Sequence, residues 1–183
     1  MSTTALLLID FQNDYFEGGK WRLNETEAAA SKGAELLAAF RERNLPVVHV
    51  RHEFPTEDAP FFAPGSPGAQ IHSSVAAADG EAIVTKSQIN CFRDTNLKEL
   101  LDTENAKNLV VVGAMSHMCV DAAVRAAADH GYNCAVAHDA CATHDQEFNG
   151  TTVPAQEVHA AFMAALGFAY ANVASTKELL SEM

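Results

Sequence analysis

Short apolar segments alternate with helical patterns along the chain, and this alternation limits the fold more than any other feature. Uninterrupted apolar runs are typical of strands buried on both faces, and strands that alternate with helices build parallel sheets. The six strand segments cover residues 5–10, 46–52, 81–86, 108–113, 134–137 and 171–174. Helical patterns cover residues 25–44, 95–103, 118–131, 154–166 and the last residues from 175. This order predicts an α/β fold: a three-layer α-β-α, doubly wound, six-stranded parallel sheet with helices on both faces.

Length and charge restrict the class of protein further. The 183 residues contain no repeat, low-complexity tract or linker, which predicts a single domain over residues 1–183. With 12 basic and 24 acidic residues the net charge is −12, which argues against binding to nucleic acid or to an anionic membrane.

The start of the chain and its cysteines predict a cytoplasmic protein. Residues 1–4 carry no basic group, and Asp10 interrupts the apolar run that follows, so neither a secretory signal nor a membrane span is expected. Four widely spaced cysteines are typical of free thiols in a reducing compartment.

One long connection, residues 53–80, is too long and too rich in proline to be an ordinary turn. It contains four of the six prolines and the pair Phe61 and Phe62. Loops of this length in compact domains are usually functional or disordered. We predict that it covers a site with these two rings as walls, the alternative being a solvent-exposed excursion.

Three reactive side chains fall where predicted strands end or lead into a helix. Asp10 and Lys86 end their strands, and Cys119 follows the strand 108–113 on the first turn of the next helix. Ligands of open parallel sheets bind at this edge. A helix capped by Ser116 would lower the pKa of the Cys119 thiol, Lys86 would stabilise the thiolate, and Asp10 could move the proton. Taken one at a time, these residues also fit a buried thiol, a turn aspartate and a solvated lysine.

The chain resembles the isochorismatase-like superfamily of cysteine hydrolases, which includes nicotinamidases and N-carbamoylsarcosine amidase. Three ordered blocks and a later strand end carry the resemblance: residues 8–16, residues 85–87 with 92–97, residues 112–120 with Ala123 and Arg125, and residues 139–142. The resemblance implies a catalytic triad of Asp10, Lys86 and Cys119. It also implies a cis peptide bond between Ala114 and Met115 and an oxyanion hole made by the N–H groups of Met115 and Cys119.

Two departures from the family pattern bear on activity. Ser116 stands where threonine is common, which keeps the hydroxyl. Nicotinamidases carry metal-binding residues after the second strand, whereas His49 and His52 here point to opposite faces and would chelate poorly. Cys141 with His144, or Cys134 with His138, is only half of a zinc site. We therefore predict neither a catalytic metal nor a cofactor, and we interpret the two strand histidines as structural.

Candidate pocket residues are aromatic with a few polar groups, as small-molecule sites usually are. They are Phe11, Phe16, Trp21, Phe61, Phe62, Asn90, Phe92 and His117. Asn90 could bind an amide or cap a loop, and His117 could meet substrate or lie at the surface. Arg51 is expected in a structural salt bridge rather than on a substrate carboxylate.

The leading hypothesis is an amidohydrolase that cleaves a C–N bond of a small amide or ureido compound through a thioester on Cys119. Isochorismatases proper cleave a vinyl ether and lack this cysteine, so the chain resembles the amidase branch. A vinyl-ether or other non-amide hydrolase is the first alternative, and a redox-responsive thiol protein without turnover is the second. The expected partners are a small-molecule substrate and further copies of the chain, as a dimer or tetramer.

Overall fold

The computed structural model describes residues 3–183. Met1 and Ser2 belong to the segment from which we predicted that no secretory signal is present, and they lie outside the described residues. The strands are β1 (Thr3–Ile9), β2 (Val47–His52), β3 (Ala82–Lys86), β4 (Ala106–Ala114), β5 (Asn133–Ala142), β6 (Gln146–Phe148), β7 (Thr151–Val153) and β8 (Ala171–Ala174). The helices are α1 (Thr26–Glu42), α2 (Leu97–Thr103), α3 (Asp121–Asp129), α4 (Ala155–Ala169) and α5 (Thr176–Ser181).

Six strands form one parallel sheet in the order β3-β2-β1-β4-β5-β8. The order runs outward in both directions from the neighbours β1 and β4, which makes the sheet doubly wound and places a topological switch point between these two strands. The predicted fold class is therefore confirmed.

The two faces of the sheet carry separate apolar cores because successive side chains of a strand alternate between faces. In β1, Leu6 and Leu8 pack beneath α1 and α5, whereas Leu7 and Ile9 pack beneath α2, α3 and α4. A strand buried on both sides needs no polar alternation, which is why its sequence is a continuous apolar run.

One connection adds elements that the sequence did not predict, and another packs as a cover. The segment 139–153, between the predicted strand 134–137 and the predicted helix 154–166, continues β5 to Ala142 and then forms the antiparallel β6–β7 hairpin. The segment 53–80 packs onto the protein through two short 3-10 turns at Pro67–Ala69 and Ser73–Val75. Phe62, Ala69 and Val75 within it are buried, so it is a packed cover and not a solvent-exposed excursion.

Within residues 3–183, no helix is both long enough and apolar enough to span a bilayer.

Candidate active site

Four neighbouring strands each bring one polar side chain to the same edge of the sheet. Lys86 is the last residue of β3, His52 is the last residue of β2, and Asp10 directly follows β1. Cys119 lies in the turn that follows β4. Because β3, β2, β1 and β4 are adjacent in that order, these four side chains meet at the carboxyl edge, beside the switch point.

The Lys86 ammonium is the centre of this group. Its Nζ lies 2.8 Å from Oδ2 of Asp10, 2.9 Å from Nδ1 of His52 and 3.2 Å from Sγ of Cys119. A carboxylate oxygen of Asp10 also lies within 4.8 Å of the Cys119 sulfur. Asp10 is 0% exposed, Lys86 2% and Cys119 4%, so the contacts form in a site shielded from bulk water.

Burial and neighbouring charges determine the protonation of Lys86 and Cys119. Burial lowers the pKa of Lys86, but the charges of Asp10 and Cys119 outweigh burial and raise it, so the side chain stays an ammonium. Burial, and next the Asp10 charge, raise the pKa of the Cys119 thiol above its ordinary value, although Lys86 opposes them. The expectation of a lowered thiol pKa is thus wrong for the resting site, because desolvation outweighs the ammonium.

The turn that carries Cys119 also differs from the sequence prediction. Residues Ser116–Val120 form a π-helical turn, and α3 begins only at Asp121. Ser116 does not cap this turn with its side chain. Its hydroxyl lies 3.3 Å from the carbonyl oxygen of Ala142 and 2.8 Å from Nδ1 of His159, so it ties the turn to β5 and α4. The peptide bond between Ala114 and Met115, just before the turn, is cis.

His52 is the residue that sequence reasoning did not place with the triad. Burial, and next the Lys86 charge, lower its pKa to about 4, so it is neutral at pH 7. Its backbone is clamped by Gln12, whose Nε2 donates to the His52 carbonyl at 2.7 Å and whose Oε1 accepts from the His52 N–H at 2.7 Å. The strand order was the signal: a residue at the end of β2 must lie between the ends of β3 and β1.

Three metal-binding side chains come together here, yet they do not fit a metal. Donor atoms of Asp10, His52 and Cys119 lie within 4.8 Å of one another. The Lys86 ammonium contacts all three and fills the position that an ion would need. A fixed cation among these side chains would repel a metal ion, so no step of the proposed reaction uses a metal ion.

Aromatic side chains cover the site from one side. Five rings, which we call the aromatic lid, come from the segment after β1 and from residues 53–80: Tyr15, Trp21, Phe54, Phe61 and Phe62. The Phe61 ring centroid lies 4.8 Å from Trp21 and 5.9 Å from Tyr15, and Phe62 lies 4.6 Å from Tyr15. The His52 ring lies 4.6 Å from Phe54 and 6.3 Å from Phe62, which connects the lid to the triad.

Tyr15 and Asp14 were missed as site residues although both follow Asp10 closely. Burial, then the charges of Asp10 and Cys119, raise the pKa of Tyr15, which places its phenol in the field of the triad. Asp14 is buried, and its Oδ2 accepts a 2.7 Å hydrogen bond from the Phe62 N–H. Asp14 therefore fastens the lid to the turn after β1.

The other predicted pocket residues lie in several places. Phe11 packs under α1 against Gly33, and Phe16 stacks on His72 with ring centroids 3.7 Å apart. The Phe92 ring packs on His130 and Tyr132, away from the lid rings. Phe11 and Phe16 are buried and Phe92 is partly buried, and the contacts of all three rings are with packing neighbours.

The predicted polar pocket residues have local partners. Asn90 accepts a 2.9 Å hydrogen bond from the Phe92 N–H and so caps its loop. His117 lies 2.7 Å from the Thr143 hydroxyl and is half-buried near His144, so it borders the lid. Arg51 forms the expected salt bridge, 3.2 Å from Glu53.

A cavity of about 690 Å³ lies next to this site, between the start of α1, the end of β5 and the start of α4. His138, Asp139, Thr143 and His159 are among its lining residues, which do not include Asp10, Lys86 or Cys119. The cavity and the triad are therefore separate features.

A doubly wound sheet with a buried cysteine, lysine and aspartate at its carboxyl edge defines the class: an α/β hydrolytic enzyme with a candidate cysteine nucleophile. The model of the Isochorismatase domain matches residues 4–177. The chain therefore belongs to the isochorismatase family of hydrolases.

Individual relatives agree with this assignment. The isochorismatase family protein YddQ of Bacillus subtilis, itself uncharacterized, is 48% identical over 97% of this chain and 99% of its own length. A crystal structure from Oleispira antarctica, assigned to the isochorismatase hydrolases, superposes with a TM-score of 0.95 at 68% identity, covering 98% of this chain and 97% of that one. Maleamate amidohydrolase of Pseudomonas putida is 29% identical over 74% of this chain and 70% of its own.

Proposed function

We propose that this protein hydrolyses a C–N bond in a small amide or ureido compound, with Cys119 as the nucleophile and a thioester as the intermediate. The observation that carries the proposal is the Cys119 thiol, buried in contact with a fixed ammonium and a carboxylate at the carboxyl edge of the sheet. The name of the relative maleamate amidohydrolase supports the same bond class.

The first half of the reaction needs one proton transfer and one attack. Asp10 accepts the thiol proton of Cys119, and the thiolate attacks the carbonyl carbon of the substrate. Lys86 stabilises the negative charge as it moves from sulfur to the carbonyl oxygen. We propose that the N–H groups of Met115 and Cys119 receive this oxyanion. When the C–N bond breaks, Asp10 gives the proton to the leaving nitrogen, and the acyl group remains on Cys119.

The second half releases the acid and restores the site. A water molecule enters where the amine has left, and Asp10 removes its proton as the oxygen attacks the thioester carbonyl. The C–S bond breaks, the sulfur takes the proton back, and a carboxylic acid or carbamate leaves. Asp10 is thus first a base and then an acid in each half of the reaction, which suits a carboxylate 2.8 Å from the ammonium and within 4.8 Å of the thiol sulfur.

A raised thiol pKa fits this mechanism. A permanently formed thiolate would form a full ion pair with Lys86 and lose nucleophilicity as its pKa falls. The Asp10 carboxylate lies 2.8 Å from Lys86 and forms that ion pair instead. In the proposed mechanism the thiol, whose pKa burial raises, keeps its proton until a substrate carbonyl is present to accept the charge.

The lid supports a small substrate. The thiol is almost fully covered, so the aromatic lid and the segment 53–80 must move to admit a molecule and then exclude water around it. Trp21 and Phe61 offer flat apolar surfaces for a planar amide or ring, in keeping with a small-molecule site.

The test measures ammonia or amine release from primary amides, ureido acids and cyclic imides, with and without a chelator. We expect Cys119→Ala to lower the release by at least about 10³-fold while the fold persists. Cys134→Ala is the matched control, because Cys134 is another buried thiol whose contacts are with the Val124 and Tyr132 carbonyls, outside the triad. Full activity of folded Cys119→Ala would overturn the mechanism.

A further inference from the structure

His52 supplies a third acceptor for the Lys86 ammonium. An ammonium carries three N–H donors and no acceptor, so Nδ1 of His52 can only accept in the 2.9 Å contact. Asp10 and Cys119 are the other two acceptors, at 2.8 and 3.2 Å. The ammonium therefore contacts three acceptor groups, in a site shielded from bulk water.

The structure fixes the form of His52 that can do this. The charged groups that face its ring are Lys86 from β3 and Asp10 from the end of β1, and Cys119 faces it from the π-helical turn. Phe54 and Phe62 of the lid flank the ring, with centroids 4.6 and 6.3 Å away. With a cation 2.9 Å from Nδ1, that nitrogen holds no proton, and the imidazole is neutral.

We propose that His52 is a positioning residue that holds the Lys86 ammonium against the Cys119 sulfur. The sulfur contact is the longest of the three, and thiol sulfur is a weak acceptor, so by itself it would not hold the ammonium. Asp10 attracts the ammonium more strongly than sulfur does. His52 binds it on another side, which limits its movement toward Asp10 and keeps it between the carboxylate and the thiol.

Loss of this acceptor has a defined consequence. Without Nδ1 the ammonium has one buried N–H with no partner, which favours a closer contact with the second Asp10 oxygen. The distance from Nζ to Sγ then grows, and the thiolate loses the cation that stabilises it. The thiol pKa rises further, and fewer Cys119 side chains react at a given pH. The catalytic meaning of this inference rests on the proposed function, but the predicted thiol behaviour does not.

The experiment follows alkylation of Cys119 by iodoacetamide, from pH 6 to pH 10, by peptide mass spectrometry of the intact folded protein. His52→Leu removes the acceptor, and His52→Asn keeps one, because the amide oxygen can take the place of Nδ1. His49→Leu is the matched control. His49 is the other buried histidine of β2, and it contacts Glu81, 2.9 Å away, and not Lys86.

We expect His52→Leu to slow the alkylation of Cys119 about tenfold at every pH from 8 to 10, as expected when the thiol pKa rises by about one unit. His52→Asn is expected to restore the rate to within about threefold of the wild type, and His49→Leu to leave the rate unchanged. Circular dichroism confirms that each variant is folded. An unchanged alkylation rate in folded His52→Leu would overturn the inference, as would an equal loss in His52→Asn.

The two proposals fail separately. Alkylation needs no turnover, so the expected pattern together with silence across the amide panel would sustain the role of His52 and reject the amidohydrolase. Ammonia release that depends on Cys119, together with an unchanged alkylation rate in His52→Leu, would sustain the amidohydrolase and reject the role of His52.

Discussion

At the scale of single residues, the central feature is the buried ion pair between Asp10 and Lys86. The Asp10 and Lys86 side chains are 1% and 0% exposed. A buried pair of this kind contributes little net stability, but removal of one partner leaves an uncompensated charge. Under the proposed function, the pair serves the reaction of the thiol rather than the stability of the fold.

Lys86→Met tests this view of the pair. We expect the free energy of unfolding to fall by about 3–5 kcal/mol, because Asp10 loses its partner, and Cys119 to lose its reactivity. The double variant Asp10→Asn/Lys86→Met should regain most of the stability but none of the activity. Urea unfolding measures the first effect, and alkylation measures the second. Equal stability of Lys86→Met and the wild type would show that the charges are not coupled.

The sequence predicted the three strand-end residues because each lies where a continuous apolar run stops or leads into a helix. It did not predict His52 as their partner, because two histidines three residues apart suggested only a poor chelate. Their partners differ, as the period of a strand requires: His49 contacts Glu81 and His52 contacts Lys86. The protonation of Cys119 was beyond a sequence argument, since it depends on how deeply the thiol is buried.

At the scale of elements, the site depends on how the loops after β1 and β2 are tied together. Gln12 donates to the carbonyl groups of His52 and Ala69 at 2.7 and 2.8 Å and accepts from the His52 N–H. A single side chain thus joins the end of β2, the segment that carries Asp10 and the cover segment 53–80.

Gln12→Leu should be strongly destabilising, although it preserves volume. Three buried backbone groups would lose their partners, for which we expect a loss of about 3–5 kcal/mol in the free energy of unfolding. Gln156→Leu, at an exposed position of α4, is the control and should change it by less than about 0.5 kcal/mol. A loss below about 1 kcal/mol for Gln12→Leu would mean that the clamp is not a structural element.

Gly68→Ala addresses the lid. A Cβ at Gly68 would overlap the Asp14 carboxylate, which holds the Phe62 N–H. We expect a loss of about 1–3 kcal/mol and faster proteolysis within residues 53–80. Gly167→Ala has room, with Val173 3.6 Å away, and should not change the cleavage rate. If residues 53–80 of Gly68→Ala resist proteolysis as well as those of the wild type, Asp14 does not hold the lid in place.

The π-helical turn at Ser116–Val120 shows the limit of pattern reasoning at this scale. The residues fit a capped α-helix by local preference, so an ordinary helix start was expected. The Ser116 hydroxyl contacts β5 and α4, which are far from it in sequence. The local spacing of residues therefore cannot predict these contacts. The β6–β7 hairpin was missed for a related reason, since its strands have only three residues each.

At the scale of the whole molecule, the alternation of strands and helices sufficed for the fold class. The alternation alone does not determine the order of the strands within the sheet, and it is this order that unites Lys86, His52, Asp10 and Cys119 in one row. The same topology separates the triad from the cavity along β5, so that cavity is not where the chemistry is assigned.

Stability should fall on the acidic side of neutrality. The folded protein leaves His52 unprotonated down to about pH 4, whereas the unfolded chain binds that proton near pH 6.5. Stability from His52 is therefore present above pH 6.5 and is lost as the pH falls toward 4, by about 2 kcal/mol between pH 6.5 and pH 5. Urea unfolding from pH 7.5 to pH 4.5 measures the slope, and His52→Asn should flatten it. A slope identical in both proteins would contradict this assignment.

Glu81 extends the acid sensitivity to lower pH. Hydrogen bonds from Arg41, and further ones from Ala78 and His49, lower its pKa to about 2, despite the opposing effect of burial. Its stabilising effect is present above the ordinary carboxyl pKa and is lost as the pH falls through about 2. Glu81→Gln should lower stability at pH 7 and reduce the dependence on pH below 4.5, as followed by thermal unfolding.

The role of Cys119 as the nucleophile is best tested by the intact and peptide mass of the enzyme, quenched by acid during turnover of an amide from the panel. We expect the acyl group, without the amine, to be attached to Cys119 and to be absent from Cys119→Ser. Turnover with no adduct in any quench, or with the adduct on another residue, would contradict Cys119 as the nucleophile between Asp10 and Lys86.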